Sequence, residues 1–154
     1  MWDIRKLTEY FLGVFAMNEI APMSEIALVK VRILEEGALK LPQIPIVTSH
    51  VLHGGIYART IMIPAGVLLT GALIKIATVL IVSGDVLVYI GGKTIELNGY
   101  NVIPAAANRK QAFVAKTDTH LTMLFPTDAT SVEDAEKEFT DEVDMLITRK
   151  NKEA

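Results

Sequence analysis

The spacing of hydrophobic and polar residues changes twice along the chain and so divides it into three parts. Residues 1–42 carry apolar side chains at helical intervals, residues 43–128 alternate in short runs as strands do, and residues 129–154 return to a helical period. We therefore predict a mainly β protein in which a helical N-terminal extension and a C-terminal helix with a frayed tail flank an antiparallel sandwich or barrel.

The N-terminal extension is predicted to contain two helices. The apolar face of the first consists of Ile4, Leu7, Phe11 and Val14 or Phe15. The second has Ser24 as its N-cap and ends near Gly37 or before Pro42. Because the letters ALVKVRIL also alternate apolar and polar residues, a strand is the alternative for this segment.

Short runs rich in β-branched and aromatic residues fill the middle part and are separated by turn residues such as Ser83-Gly84-Asp85 and Gly91-Gly92. The predicted strands have the sequences IPIVTSHVL, GIYARTIMIP, VLLTGALIK, TVLIVSGDVLVYI, GKTIEL, YNVIPA, QAFVAKT and THLTMLF. In the last part, Thr130 or Ser131 can cap a helix with the sequence VEDAEKEF, whose first turn is acidic.

The composition of the chain argues against several classes of function. A net charge of -3 argues against binding to a nucleic-acid polymer, which needs clustered Lys and Arg. The chain has no Cys, which excludes disulfides and thiolate chemistry and fits a cytoplasmic location. Although 51% of the residues are hydrophobic, Pro64, Gly66 and Gly71 interrupt the longest apolar stretch, so we predict no membrane span and no signal peptide.

Several short motifs resemble those of the cupin superfamily. They are LPQ at 41–43, His50, YAR at 57–59, IPAG at 63–66, LTG at 69–71, SGD at 83–85, and DTHLT and FPTDAT near the end of the middle part. Their order is similar to that in small phage-encoded cupin-like proteins. The resemblance implies a cupin-like double-stranded β-helix, or jelly-roll barrel, over residues 43–128, a phage origin and residence in the host cytoplasm.

Cupins that bind metal have a Gly followed by a His-x-His pair and a Glu, with another His in a second motif. Counted from Gly66, the two His positions are Ala72 and Ile74, and the Glu position is near Thr78 or Val79. The pattern of the phage-like proteins, counted from Gly71, gives Ile74, Ala77 and Thr78 and retains Lys75. The second-motif His falls near Arg109 or Gln111, and a further His position is Phe125.

In either register, hydrocarbon side chains replace the donors that a divalent ion requires. The remaining histidines, His50, His53 and His120, lie far apart in the sequence or on a loop-like stretch. We therefore expect no metal, no other cofactor and no catalytic residue.

Alternation along IYARTIMIP places Tyr57, Arg59, Ile61 and Ile63 on one face of a strand. If that face points inward, Arg59 lies in the barrel mouth, where a guanidinium needs an anionic or carbonyl partner. The resemblance places other polar residues around the same cavity. The predicted ligand-binding residues are Tyr57, Arg59, Lys75, Arg109, Gln111 and His120. In the alternative interpretation, Arg59 and Lys75 lie at the surface and the histidines make ordinary hydrogen bonds.

The function that we predict is non-catalytic: binding of a small anionic molecule of the nucleotide or sugar-phosphate type, which would sequester a host defence signal, or binding of a protein partner. One alternative is a metal-independent epimerase or isomerase that uses His50 or His120 with Tyr57. Another is a structural oligomer without a ligand. In each case we expect a homodimer or a larger homo-oligomer, because the chain is unusually apolar and a sheet edge needs cover.

Overall fold

A computed structural model describes residues 19–146 of the chain. The predicted second helix and C-terminal helix are both confirmed, whereas the predicted first helix and the frayed tail lie outside the described residues. Two α-helices flank the strands, α1 at Glu25–Ala38 and α2 at Val132–Phe139, and a 3-10 turn follows at Val143–Met145. The strands are β1 Val47–His53, β2 Ile56–Ile63, β3 Leu68–Thr70, β4 Thr78–Ser83, β5 Val86–Ile90, β6 Lys93–Leu97, β7 Tyr100–Ala105, β8 Ala112–Ala115 and β9 Thr119–Pro126.

Helix α1 forms where the sequence allowed either a helix or a strand. The Ser24 hydroxyl accepts a hydrogen bond from the Ala27 amide at 3.3 Å, which satisfies a free donor of the first turn. Ala27 and Val31 then pack with Met23 against Ala112 of β8. The N-cap and this packing face together favour the helix over the alternating pattern.

The strands form two antiparallel sheets. One has the order β1-β2-β9-β4-β7 and the other the order β3-β8-β5-β6. The pairs β2 with β9, β3 with β8, β4 with β7 and β5 with β6 are nested along the chain, and successive pairs alternate between the two sheets. This nesting is the winding of a jelly roll, so the predicted fold class is confirmed.

The predicted strand VLLTGALIK is shorter than expected, because only Leu68–Thr70 is regular strand. After Gly71, Ile74 forms a single β-bridge with Arg109, and its neighbours Leu73 and Lys75 pair with the C-terminal segment. The Leu73 amide donates to the Glu142 carboxylate at 2.9 Å, the Leu73 carbonyl accepts from the Thr140 hydroxyl at 2.8 Å, and the Lys75 amide donates to the Phe139 carbonyl at 2.9 Å.

The hydrophobic core lies between the two sheets. Val82, Val86 and Val88, which point inward from β4 and β5, are completely buried. Toward α2, three aromatic rings pack together: Tyr57 lies 5.4 Å from Phe125 and 6.3 Å from Phe139, measured between ring centroids. Helix α2 thus closes one side of the core through Phe139.

A buried ammonium group joins three distant parts of the chain. Lys110 Nζ is fully buried and donates to Glu35 of α1 at 3.0 Å, to the Gly71 carbonyl at 2.8 Å and to Glu142 at 3.3 Å. Glu142 also accepts from Arg32 of α1 at 2.8 Å. We call Lys110, Glu35, Glu142 and Arg32 the charge cluster. It holds the segment after α2 against α1 and the loop after β3.

No helix within residues 19–146 is both long and apolar enough to cross a membrane.

Gly84 is required by a close approach between two turns. Its φ is +137°, and a Cβ atom there would lie 2.5 Å from Thr119 Oγ1 and 2.8 Å from the Asp118 carbonyl oxygen. We expect Gly84→Ala to lower the free energy of unfolding by about 3 kcal/mol, from backbone strain and overpacking together. Gly91→Ala is the matched control: φ is +54° and nothing lies within 4 Å of the added Cβ, so its cost should be about 1 kcal/mol. Urea denaturation of both variants measures the difference, and equal costs would contradict the close approach.

The charge cluster should make stability depend on pH through Glu142. Burial raises the pKa of this carboxyl, but the Leu73 amide, Arg32 and Lys110 outweigh burial and hold the pKa below its ordinary value of 4.5. A lowered folded-state pKa stabilises the protein above the ordinary value, and that stability is lost as the pH falls through the folded-state pKa. We expect Glu142→Gln to remove about 1 kcal/mol at neutral pH and to flatten the loss of stability below pH 4.5.

The measurement is urea denaturation from neutral pH down to the acid limit of the folded state. The control is Glu36→Gln, since Glu36 is an exposed residue of α1 outside the cluster and its variant should keep the wild-type profile. A Glu142→Gln profile parallel to that of wild type would refute the role of Glu142.

Candidate ligand cavity

A cavity of about 130 Å³ lies between the two sheets, where the segment after α2 crosses them. Its walls are mostly apolar and come from both sheets and from the C-terminal segment. The apolar side chains are Ile61, Leu69, Ala72, Ile74, Leu80, Phe113, Leu121, Met123, Phe139, Met145 and Leu146. The polar lining side chains are Arg59, Thr70, Arg109 and Gln111.

Three of these polar side chains have a nitrogen without a partner. Arg59 Nη1, Arg109 Nε and Gln111 Nε2 are buried, and none has a hydrogen-bond acceptor within the described part of the chain. A buried donor without an acceptor costs about 1–3 kcal/mol, so such groups are uncommon in a folded protein. Three around one cavity indicate a site that can donate hydrogen bonds to a ligand's oxygen atoms.

Arg109 is held in place by oxygen atoms of the protein. Its Nη1 donates to the carbonyls of Ile76 at 3.2 Å and Ala106 at 2.5 Å, and its Nη2 donates to the Thr78 hydroxyl at 2.5 Å. The residue is 1% exposed, and burial lowers the pKa of the guanidinium to about 10, which leaves it charged at neutral pH. No carboxylate of residues 19–146 forms a salt bridge with Arg109, so an anion in the cavity would be attracted to it.

Arg59 points inward because β2 alternates as predicted, with Tyr57, Arg59 and Ile63 buried. Burial lowers the pKa of Arg59, while Tyr57 and the buried carboxylate Glu136 of α2 raise it. Glu136 therefore balances part of the charge and Nη1 keeps its free donor. This side chain offers a fixed hydrogen-bond direction to a carboxylate or phosphate oxygen.

Tyr57 is completely buried and is not a lining residue of the cavity. Its hydroxyl shares a hydrogen bond of 2.8 Å with His50 Nδ1, and the two rings stack with centroids 6.0 Å apart. Burial raises the pKa of Tyr57 far above its ordinary value, an effect that Arg59 opposes and Glu136 reinforces. The phenol is therefore a neutral part of the core beneath α2.

The structure places Lys75 and His120 outside the cavity lining. Lys75 is exposed and its ammonium pairs with Asp141 at 2.5 Å. His120 is exposed on the outer face of its sheet, because its neighbours Thr119 and Leu121 are the ones that point inward. Of the six predicted ligand-binding residues, Arg59, Arg109 and Gln111 meet at the cavity, while Tyr57, Lys75 and His120 do not.

Some of the positions that the resemblance aligns with cupin metal ligands lie around this cavity, whereas Ala77, Thr78 and Val79 are not among its lining residues. Ala72, Ile74, Arg109 and Gln111 all line it, and Phe125 lies in the adjoining aromatic cluster. Within residues 19–146 no group of three or more His, Asp, Glu or Cys side chains is placed to hold a metal ion. The donor set present here, two guanidiniums and a carboxamide, suits an anion and not a cation.

Among the lining residues that were not predicted from the sequence are Phe139, Met145 and Leu146. They belong to the C-terminal segment, and the charge cluster brings them to the cavity. The apolar residues in the otherwise polar sequence EFTDEVDML are a signal that this segment packs on something, but the sequence does not say on what.

No protein-family profile matches the chain, and no curated protein matches it either. Solved structures with a similar backbone include a cupin superfamily protein of Desulfitobacterium hafniense, which is 12% identical over 57% of this chain and 83% of its own, with a TM-score of 0.45. KdgF from Halomonas is 18% identical over 56% of this chain and 82% of its own, with a TM-score of 0.45. A cupin-2 domain protein of Shewanella frigidimarina is 10% identical over 60% and 91%, with a TM-score of 0.43. These likenesses are too distant to bear on ligand or activity, and the jelly-roll assignment rests on the strand order given above.

Proposed function

We propose that the protein binds a small organic anion, a carboxylate with an apolar body, in the cavity between its sheets. The observation that carries this proposal is the set of three buried, unpartnered donors on Arg59, Arg109 and Gln111 in an otherwise apolar cavity. The carboxylate would accept from these donors, and the hydrocarbon part would contact side chains such as Leu80 and Phe113.

The size of the cavity favours a carboxylate over a nucleotide or a sugar phosphate. A cavity needs a volume of roughly 10–15 Å³, on the same measure, to hold one water molecule. The cavity of about 130 Å³ therefore has room for on the order of ten non-hydrogen atoms. A nucleotide is far larger than that. Its sugar and phosphate groups would also leave many hydrogen bonds unmade against apolar walls.

A binding role is favoured over an epimerase or isomerase. Such an enzyme needs an acid and a base that touch one substrate. The side chains of His50 and Tyr57 are hydrogen-bonded to each other, and neither residue lines the cavity. The raised pKa of Tyr57 also makes its proton hard to give up.

We expect benzoate, phenylacetate or isovalerate to raise the melting temperature and to bind by calorimetry, while AMP and glucose 6-phosphate do not. Benzamide has the shape of benzoate without its charge and should bind at least about tenfold more weakly, since hydrogen bonds to a charged group contribute about 1.5–3 kcal/mol. Arg59→Lys keeps a positive charge beside Glu136 but loses the planar fork, so we expect about a tenfold loss of carboxylate affinity.

Arg32→Lys is the matched control for Arg59→Lys. It makes the same chemical change on α1, where the Arg32 side chain is 46% exposed and lies outside the cavity lining. Its carboxylate affinity should equal that of wild type. Equal binding of benzoate and benzamide, or equal effects of the two substitutions, would contradict the proposal.

Gln111 offers a second test that needs no ligand. If the buried Nε2 of Gln111 donates a hydrogen bond only to a ligand, it does not stabilise the ligand-free protein. We therefore expect Gln111→Met to leave the free energy of unfolding unchanged or to raise it by up to about 1 kcal/mol, because an unpartnered polar group is replaced by an apolar one. The same variant should bind benzoate more weakly. A loss of more than about 2 kcal/mol in denaturation would instead assign Gln111 a structural role.

A further inference from the structure

The outer face of the five-stranded sheet carries no acidic side chain and no Lys or Arg, and its histidines are His53 and His120. Its residues are the outward-pointing ones of β1, β2, β9, β4 and β7, and none of them is Asp, Glu, Lys or Arg. None of them is buried by the rest of the protein, and Val51, Val79 and Val102 are 59%, 42% and 56% exposed. We call this surface the uncharged face. A solvated sheet face normally alternates apolar residues inside with polar and charged residues outside, so this composition is unusual.

The other sheet does not leave a comparable face open. Helix α1 lies across its outer side, where Leu68, Tyr89 and Ala112 contact Ala27 and Val31. In a two-sheet sandwich, each outer face either meets water or is covered. In this protein α1 covers part of one face, whose exposed remainder includes the charged Glu96, and the uncharged face has no such cover within residues 19–146.

The hydroxyl groups at the centre of the uncharged face already have a hydrogen-bond partner within the protein. Thr60 and Thr122 lie opposite each other on β2 and β9, and their hydroxyls share a hydrogen bond of 2.8 Å. Around them are apolar side chains, including Ala58, Ile81 and Leu124. Because the hydroxyls of Thr60 and Thr122 are hydrogen-bonded to each other, a second surface can cover them without leaving either one lacking a partner.

The chemistry of the face restricts its partner. A surface without charge gains nothing from a charged partner and would desolvate that partner's charges at a cost. The matching surface must be uncharged, flat and similarly sized, and a second copy of the same face meets each of these conditions under twofold symmetry. Five strands about 4.8 Å apart and six to eight residues long give a face of about 500 Å² in projection. With its raised side chains and rim it approaches the roughly 800 Å² per partner of a standard interface.

We propose that the uncharged face is the interface of a homodimer in which the five-stranded sheets of two copies pack face to face. Packing of two sheets about 10 Å apart is the same arrangement that forms the core of each subunit. The dimer leaves the ligand cavity, on the inner side of the sheet, inside each subunit. This inference is independent of the proposed ligand.

The test is the mass of the full chain in solution. Light scattering and sedimentation should give twice the chain mass of 16.9 kDa for wild type over a roughly hundredfold concentration range. Val79→Lys puts a charge near the middle of the uncharged face and should raise the dimer dissociation constant at least about tenfold. Val29→Lys is the matched control, since Val29 is 52% exposed on α1, and it should leave the dissociation constant unchanged. Thermal unfolding checks that both variants are folded.

A wild type that stays monomeric across the range would overturn the proposal. So would a dimer that Val29→Lys breaks and Val79→Lys does not, because the interface would then lie on α1. If Val79→Lys does not fold, Thr122→Lys places the charge beside Thr60 and tests the same face. A monomeric wild type that loses thermal stability on Val79→Lys but not on Val29→Lys would assign the face to another segment of the same chain, which also overturns the second copy as its partner.

Discussion

The position of the cavity depends on one buried ammonium group. Lys110 Nζ has no contact with water, and the several kcal/mol that its desolvation costs are recovered only if all of its acceptors are in place. Those acceptors, Glu35, Gly71 and Glu142, belong to α1, the loop after β3 and the segment after α2. One side chain therefore fixes three segments that the β-sheets alone would not position. It also explains why Phe139, Met145 and Leu146 reach the cavity wall.

Much of the fold follows from the sequence, because the jelly roll is built from strands whose alternation is legible. In β9 the apolar Leu121, Met123 and Phe125 occupy every second position and are buried, and the tight turn at Gly84 shows in the sequence as Ser-Gly-Asp. The sequence fails as a guide after Gly71, where an apolar run predicts a strand. There the backbone amide and carbonyl of Leu73 form hydrogen bonds with the side chains of Glu142 and Thr140. Both residues are far away along the chain, and no local sequence pattern predicts such a partner.

The candidate site was predictable to the extent that it depends on alternation. Arg59 lies on a regular strand, so counting by twos from Tyr57 places it inside. Lys75 comes after β3 has ended, so the alternation of a regular strand cannot predict which way its side chain points. Its ammonium points outward and pairs with Asp141. His120 lies opposite Met62 and Ser83, both outward residues, which only the register between strands reveals. That Glu136 balances Arg59 also depends on how α2 packs, and the sequence does not show it.

The distribution of charge in the five-stranded sheet connects the cavity with the outer surface. Arg59 is the one Asp, Glu, Lys or Arg residue in its five strands, and it points inward. A sheet that faces water outside and a core inside would have the reverse arrangement, with charges outside and none within. The inversion has a physical explanation if the inner face meets an anion and the outer face meets another uncharged surface. Because adjacent residues of β2, such as Arg59 and Thr60, point to opposite faces, the two roles depend on different side chains. Failure of either role would therefore leave the other intact.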